Sequence, residues 1–443
     1  MRSPKLEITD RKPTPLVKDF DTFTQFIVDN EVVLTRREHW IPAKVLYEIN
    51  QRMTHPVKEA TPKTAQPGHP LLNLFYHLAL AGRLFRKAYG AGGYTLRETG
   101  RLQLFRELTP AEKYFFLLET LWVDTNWEDL ETMRGPHPVI PAPITMSYLA
   151  QRKPGKKIDL DRLPSGPRFV LGGWSGFLLY FSYFGFWNVT FRAFEKNGVK
   201  TLQSFSIDSI KLTPLGKTLI PILLRVRNPY LWNLPFRHSV LGEWRVTPGT
   251  PTPKIENIIE FVSDWLAGSR MKLKMRVKVD EGSLGEPFFQ PFVHLLPKGS
   301  LQRSLPRDWL RFVDGSYTFK VSLSKNVWRR IRVSADHTLL DLHHAIQMAY
   351  DFDSDHLYSF FMDGKMWSSI KFTSPMEEER PHVDEARIGE LGLYEGQNIL
   401  YLFDYGDKWR FRVELEKIDP EGPKPQEPEI IEEKGRSPPQ YEW

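Results

Sequence analysis

Residues 169–191, FVLGGWSGFLLYFSYFGFWNVTF, carry no charge between Arg168 and Arg192. A run of that length either crosses a bilayer or must be buried in protein. Membrane spans place their aromatic residues at the two interfaces. Here the aromatics fill the centre, and Gly172, Gly173, Gly176 and Gly185 interrupt the run. The reading is a buried helix preceded by a Gly-rich turn, with no membrane association. The N-terminus, MRSPKLEITDRKPTP, is charged and Pro-rich and lacks the apolar centre of a signal peptide. A cytoplasmic location is therefore expected.

The rest of the chain has ample material to bury such a run. It has 443 residues, 41% of them hydrophobic, with 13 Trp, which excludes global disorder and predicts several domains. There is no cysteine. Disulfides, thiolate nucleophiles, Cys-ligated zinc and iron–sulfur clusters are excluded with it. The net charge of +6 hides an asymmetry. Residues 1–313 hold 44 Lys+Arg against 29 Asp+Glu, and residues 314–443 hold 16 against 25. A basic part facing nucleic acid, joined to an acidic part of different purpose, is one expectation from such a split.

The fold class expected is α+β: a helical N-terminal region followed by a C-terminal α+β roll. Residues 1–140 alternate helical patterns with turns. Leu71, Leu74, Phe75, Leu78 and Leu84 recur at helical spacing, and Thr109-Pro110-Ala111-Glu112 has the form of a helix start. Residues 141–167, rich in Pro and carrying Arg152, Lys153, Lys156 and Lys157, read as a basic linker. Residues 168–313 form a second helical region, 314–418 an acidic domain, and 419–443 an extended Pro-rich acidic tail. The two helical regions share a pattern. Leu74–Leu84 parallels Phe177–Trp187, each an apolar helix ending near Gly82 or Gly185. Leu96 to Gly100-Arg101 parallels Leu212 to Gly216-Lys217. Helix, strand-like Leu, then Gly and a cation suggest tandem winged-helix-like units; the alternative is two unrelated helix–turn–strand pieces.

Arg270, Lys272, Lys274, Arg276 and Lys278 alternate with Met271, Leu273, Met275, Val277 and Val279. Period two puts all five cations on one face of a strand. With Arg101 and Lys217 they are the candidate nucleic-acid-binding residues, contacting phosphates without reading sequence. The alternative is an edge strand blunted against aggregation.

Several motifs fail. Gly216-Lys217-Thr218 ends like a phosphate-binding loop, but Lys211 stands where the first Gly is needed. Asp351, Asp353 and Asp355 start like a calcium loop that His356 and Met362 then break. Gly173-Trp174-Ser175-Gly176 is no nucleophile elbow. His337, Asp341 and His344 align on one helical face, and the ordinary reading of such a cluster is a solvated surface. No cofactor and no metal site are expected.

In the acidic domain, Tyr317, Phe319, Val321 and Leu323 alternate with polar residues as a half-buried strand, followed by a second strand, Val327–Val333. Thr338 and Asp341 open a helix as a capping box, with Leu339, Leu342, Ala345, Ile346 and Ala349 on its core face. Further strands are expected at His356–Met362, turning at Asp363-Gly364, at Ile399–Phe403 and at Trp409–Ile418. One helix on one sheet, in the order ββαβ…ββ, gives a β-grasp-like outline.

The runs YTFKVSL, VWRRIRV, TLLDLHHAIQMAYDFDSDHLYSF, YLFDYGDKWRFRVELEKI and PEIIEEKGRSPPQYEW resemble the Ri-plasmid open-reading-frame-three family. Its members are also labelled insertion-element passenger, TnpR-like proteins. The resemblance covers about residues 315–443 and picks out Trp328, Arg329, Arg330, Asp355, His356, Leu357, Asp404, Gly406, Asp407 and Trp409. It implies an association with plasmids and transposons as a passenger protein, and carries no established activity. Where some members have a Cys-containing tail, Ser437-Pro438-Pro439-Gln440-Tyr441 stands here.

His356 with Asp404 and Asp407 is the residue set able to bind a divalent metal or to act as acid and base. The competing reading makes the two Asp turn formers and Trp409 a core residue. Arg329 and Arg330 have the acidic turn or a phosphate as candidate partners. Three functions follow: an accessory protein, without catalysis, binding DNA or RNA through its basic two-thirds while the acidic domain takes a protein partner; a metal-dependent hydrolase or nuclease using His356, Asp404 and Asp407; or an interaction module with no nucleic-acid ligand.

Overall fold

Apolar residues with no charge among them collapse inward, and Gly breaks decide how many elements the run becomes. In the computed structural model of the protein, which describes residues 5–90, 92–131, 136–191, 195–196, 199–200, 206–254, 256, 260 and 285–441, the run of 169–191 becomes three elements. They belong to helices Ser165–Gly172 and Ser175–Tyr183 and strand Trp187–Phe191. Trp174, Phe177, Phe181, Phe184, Phe186 and Trp187 are fully buried. Trp127 stacks on Phe177 at 4.6 Å, and Trp174 on Phe181 at 5.6 Å. The four fully buried indoles keep acceptors: Trp122 donates to the Arg227 carbonyl, Trp127 to Leu121, Trp174 to Pro138 and Trp187 to Leu178. That satisfies the polar edge of a large apolar side chain. Among the described residues no helix is long and apolar enough to cross a membrane.

The chain divides into two compact units. The first comprises Met1–Arg86, Leu96–Phe236 and Thr247–Leu305, so the two helical regions expected from sequence are one body. The elements over this part of the chain are α1 (Leu16–Asp29), α2 (Ala43–Asn50), α3 (Pro70–Ala81), β1 (Phe85–Gly90), β2 (Gly93–Glu98), α4 (Gly100–Arg106), α5 (Pro110–Glu119), α6 (Ala142–Ala150), β3 (Lys157–Asp159), α7 (Ser165–Gly172), α8 (Ser175–Tyr183), β4 (Trp187–Phe191), β5 (Ile207–Leu212) and α9 (Pro214–Val226); Lys87–Thr95, which takes in parts of β1 and β2, is counted with the second unit. Strands β3, β5 and β4 form an antiparallel sheet in that order.

The Pro-rich linker is a correction. Its Pro141 and Pro143 stand at the start of α6, and its Pro164 and Pro167 at the start of α7, where a missing N–H costs little. Val139, Ala142, Ile144, Met146 and Leu149 are buried, and its basic end pairs into the sheet as β3.

The internal repeat is present down to single hydrogen bonds. After α3, Leu84 N donates to Ala79 O, and Arg83 has φ 53°. After α8, Phe186 N donates to Phe181 O, and Gly185 has φ 77°. Each helix thus ends in a left-handed cap and enters a strand. The returning strand ends at a Thr in both copies. Thr99 N donates to Leu84 O and its hydroxyl to Arg83 O; Thr213 N donates to Phe186 O and its hydroxyl to Gly185 O. Both Thr then cap the next helix, accepting from Arg101 N and Gly216 N. The register differs from the sequence alignment: Arg83, not Gly82, matches Gly185, and Thr99 matches Thr213. A winged-helix reader needs an exposed cationic helix before its hairpin. Neither α3 nor α8 contains a charged residue, and both are largely buried, so the likeness stops at the order of elements. Gly216 is explained by packing, since a Cβ there would lie 2.0 Å from Phe186 O.

The second unit comprises Pro306–Trp443 with Lys87–Thr95 and Arg237–Val246. It contains β6 (Ser316–Ser322), β7 (Trp328–Ser334), α10 (Leu339–Tyr350), β8 (Tyr358–Phe361), β9 (Lys371–Thr373), β10 (Asn398–Phe403), β11 (Trp409–Asp419) and β12 (Glu429–Lys434). All pair antiparallel in the order β9-β8-β10-β11-β6-β7-β12. Helix α10, opened by the Thr338/Asp341 capping box, buries Leu339, Leu342, Ala345 and Ile346 in a core with Phe319, Ile331, Tyr401 and Phe411. This is the expected α+β roll, with two changes. The Asp363-Gly364 turn opens a longer loop, because β9 begins only at Lys371. The tail is part of the sheet, because β12 pairs with β7. Segment 237–246 packs Trp244 edge-on against Phe372 at 4.8 Å.

Candidate functional site

Two polar constellations test the sequence expectations, one in each unit. In the second unit, pairing of β8 with β10 sets Tyr358 opposite Phe403. The residues just beyond, His356 and Asp404, are thereby neighbours, with Nε2 3.5 Å from Oδ2. His356 Nδ1 lies 2.7 Å from Asp355 Oδ1, and the Tyr441 hydroxyl donates to the same oxygen at 3.2 Å. The Asp355 carboxylate raises the His356 pKa, with further contributions from Asp404 and Asp407. Asp355 is lowered in turn, chiefly by its bond to His356. The site favours an imidazolium held among carboxylates.

The turn has its own mechanism. Asp404 is buried and left-handed at φ 55°, a conformation Asp tolerates better than most residues. Its Oδ1 accepts from Gly406 N at 2.8 Å and Asp407 N at 3.2 Å, an Asx turn. Trp409 packs edge-on against Phe352 at 4.8 Å. The structure brings His356, Asp404 and Asp407 together and adds Asp355 and Tyr441, while one Asp404 oxygen is committed to the backbone. Among the described residues no group of three or more His, Asp or Glu is arranged to hold a metal.

Arg329 and Arg330 have structural partners. Arg329 is buried, donating to the carbonyls of Ala349, Lys434 and Gly435 and to Ser437 Oγ. It fastens the C-terminal segment to the end of α10, and that segment carries Tyr441 to His356. Arg330 pairs with Glu416 at 2.6 Å and with Glu432. Neither faces the acidic turn. Trp328 lies beneath the cations of Lys320 and Arg330, at 4.8 and 4.9 Å. His337 and Asp341 are also occupied: both His337 nitrogens are bonded, and Asp341 closes the capping box.

Sequence reasoning passed over His343. It is buried, stacks on Tyr358 at 3.7 Å and shares a bond with the Tyr401 hydroxyl at 2.7 Å. Burial pushes its pKa down to about 3, so it is neutral. Its only signal was a place on the apolar face of α10.

The strand expected from Arg270 to Lys278 lies outside the described residues. Arg101 and Lys217 have local tasks: Arg101 Nε donates to Gly82 O beyond α3, and Lys217 Nζ to Ala150 O at the end of α6. Cations at helix C-termini satisfy free carbonyls and the helix dipole. The register Lys157 opposite Lys211 builds a different cluster. Lys153, Lys156 and Lys211 are exposed and make no ion pair among the described residues. Lys157 shares its charge with Asp208 at 3.4 Å. The cations of the Pro-rich stretch were visible in the sequence; their pairing with Lys211 was not.

The second unit is thus a one-helix, seven-stranded antiparallel roll whose polar turn is held by its C-terminal segment. Residues 316–441 match the family model of plasmid pRiA4b ORF-3-like proteins, so the C-terminal third of this chain is a domain of that plasmid-associated family. The chain is similar to the uncharacterized protein y4hQ of Sinorhizobium fredii, 30% identical over 123 residues. That alignment takes in 26% of this chain, and the chain spans 58% of that protein's length. It is also similar to a crystal structure of a protein of unknown function from Methanosarcina mazei Go1, at 28% identity, covering 29% of this chain and 73% of that one, with a TM-score of 0.25.

Proposed function

We propose that this chain is a mobile-element accessory protein that binds nucleic acid through its basic first unit, while the acidic second unit takes a protein partner. The observation that carries the reading is the lysine cluster around β3 and β5. Like charges directly opposite on a sheet destabilise it, and Lys157 opposite Lys211 is such a pair, with Lys153 and Lys156 beside it. A polyanion offsets that repulsion. The split follows the units: by sequence the first holds 39 Lys+Arg against 27 Asp+Glu, and the second 21 against 27. A cytoplasmic location belongs to the same proposal.

The test is fluorescence anisotropy with labelled duplex DNA, single-stranded DNA and duplex RNA across a salt series. Binding that weakens linearly in log salt is expected. Absence of binding to all three at roughly 50 mM salt overturns the reading.

A further inference from the structure

The first unit contains a cavity of about 390 Å³, within the range of small-molecule sites. It is lined by the segment ahead of α1 and by parts of α1, α3, α8 and β4. Leu16, Met53, Leu72 and Trp187 form the apolar part of its wall. Its polar lining includes Asp19, His69 and Tyr183, with Asn50, His55 and Arg11, whose guanidinium lies 3.7 Å from the Asp10 carboxylate.

His69 is fully buried, and neither ring nitrogen makes a hydrogen bond of full geometry; the Thr64 backbone is the one hydrogen-bonding neighbour that acts on it. A buried polar group so poorly satisfied is costly. Burial holds its pKa below the ordinary histidine value against the opposing pull of the Thr64 backbone. The ring is therefore neutral and keeps a lone pair to offer.

Asp19 is 1% exposed. Its Oδ1 accepts from Thr54 N at 2.9 Å and Thr54 Oγ at 2.6 Å. No Lys, Arg or His forms an ion pair with it among the described residues. Its nearest cationic neighbour in the bonded network, Lys18, stops at Thr54 Oγ. A buried carboxylate ordinarily has a cationic partner. Tyr183 lines the same space, and its hydroxyl has no hydrogen-bond partner among the described residues.

The geometry points to this cavity as a binding site for a small organic amine, with the ammonium group against Asp19 and His69 and the apolar body against Leu16, Leu72 and Trp187. One carboxylate does not furnish the six or more oxygens that a hard divalent ion takes. It does suit one charge-assisted hydrogen bond to a compact cation. The fit stands apart from the lysine cluster and from the nucleic-acid proposal.

The test uses the full chain with 2-phenylethylamine as probe, in titration calorimetry, beside phenylacetate and 2-phenylethanol. Saturable binding of the amine alone is expected. Asp19→Asn, which keeps an acceptor for Thr54, is expected to weaken it at least tenfold, the worth of a hydrogen bond to a charged group. Val189→Trp, which fills the cavity from β4, abolishes it and keeps a readout available should Asp19→Asn fail to fold. Equal response to all three probes, no amine binding at millimolar concentration, or full binding by the filled variant overturns the proposal.

Discussion

The two units differ in one group of cations. In the second unit Arg330, Arg332, Arg380 and Arg387, with Lys371, Lys417 and Lys424, each face a carboxylate. Arg329 is buried and bonded to several backbone carbonyls. In the first unit Lys153, Lys156 and Lys211 lie exposed, Lys211 opposite Lys157 across the sheet, and none of the three forms an ion pair among the described residues. Arginine suits fixed, multidentate partners, and lysine is a mobile point charge. The second unit uses these cations to hold itself together; the first pairs cations too, Lys113 with Asp21 among them, but leaves this lysine cluster open to an outside anion.

That contrast can be broken at either end. Arg329→Ala leaves the carbonyls of Ala349, Lys434 and Gly435 without their donor. A loss of roughly 3 kcal/mol or more is expected in urea unfolding, as for one partner removed from a buried charge network. A loss below about 0.5 kcal/mol, the usual range of a surface substitution, would show that the hub is dispensable. The repeat gives the next effect. Thr99→Ala and Thr213→Ala should each cost about 1 kcal/mol through the lost helix cap. Unequal effects, one copy near zero, would break the equivalence of the two Thr positions. By contrast, changing Lys153, Lys156 and Lys211 to Gln should leave stability within about 0.5 kcal/mol, since these side chains hold nothing in the fold.

The smallest effect concerns pH. Because the folded His356 pKa is raised, its stabilisation is fully present below the unfolded value of about 6.5 and is lost as pH rises through the folded value. An NMR titration of His356 should have its midpoint above the ordinary histidine value, and Asp355→Asn should lower that midpoint. A midpoint unmoved by Asp355→Asn would assign the shift to other charges.

Much of the second unit was legible because its strands alternate. Tyr317, Phe319 and Val321 face inward as period two requires, and Thr338 with Asp341 announces a helix start without any tertiary context. Its last strand was not legible: β12 is exposed throughout and lies in a Pro-rich tail with no alternation. The prolines near α6 misled for a related reason, since Pro at a first helical turn and Pro in a loop look alike in sequence. The repeat was visible, but Gly82 drew the alignment one residue away, because Arg83 adopts the left-handed cap that Gly was expected to supply. Site geometry was hardest to read. His356 meets Asp404 only through the register of β8 on β10, and Lys211 meets Lys157 only through that of β5 on β3. Asp19 and His69 share a cavity although nothing local links them.

The most direct measurement of the contrast between open and paired cations is the salt dependence of DNA affinity in two matched variants of the full chain. One carries Lys153→Gln, Lys156→Gln and Lys211→Gln; the other carries Arg380→Gln, Arg412→Gln and Lys417→Gln. The first should lower the slope of log affinity against log salt by about 2–3, nearly one per lost phosphate contact, and the second should leave it unchanged. An unchanged slope in the first variant, or an equal fall in both, contradicts the assignment of nucleic-acid binding to the open lysines of the first unit.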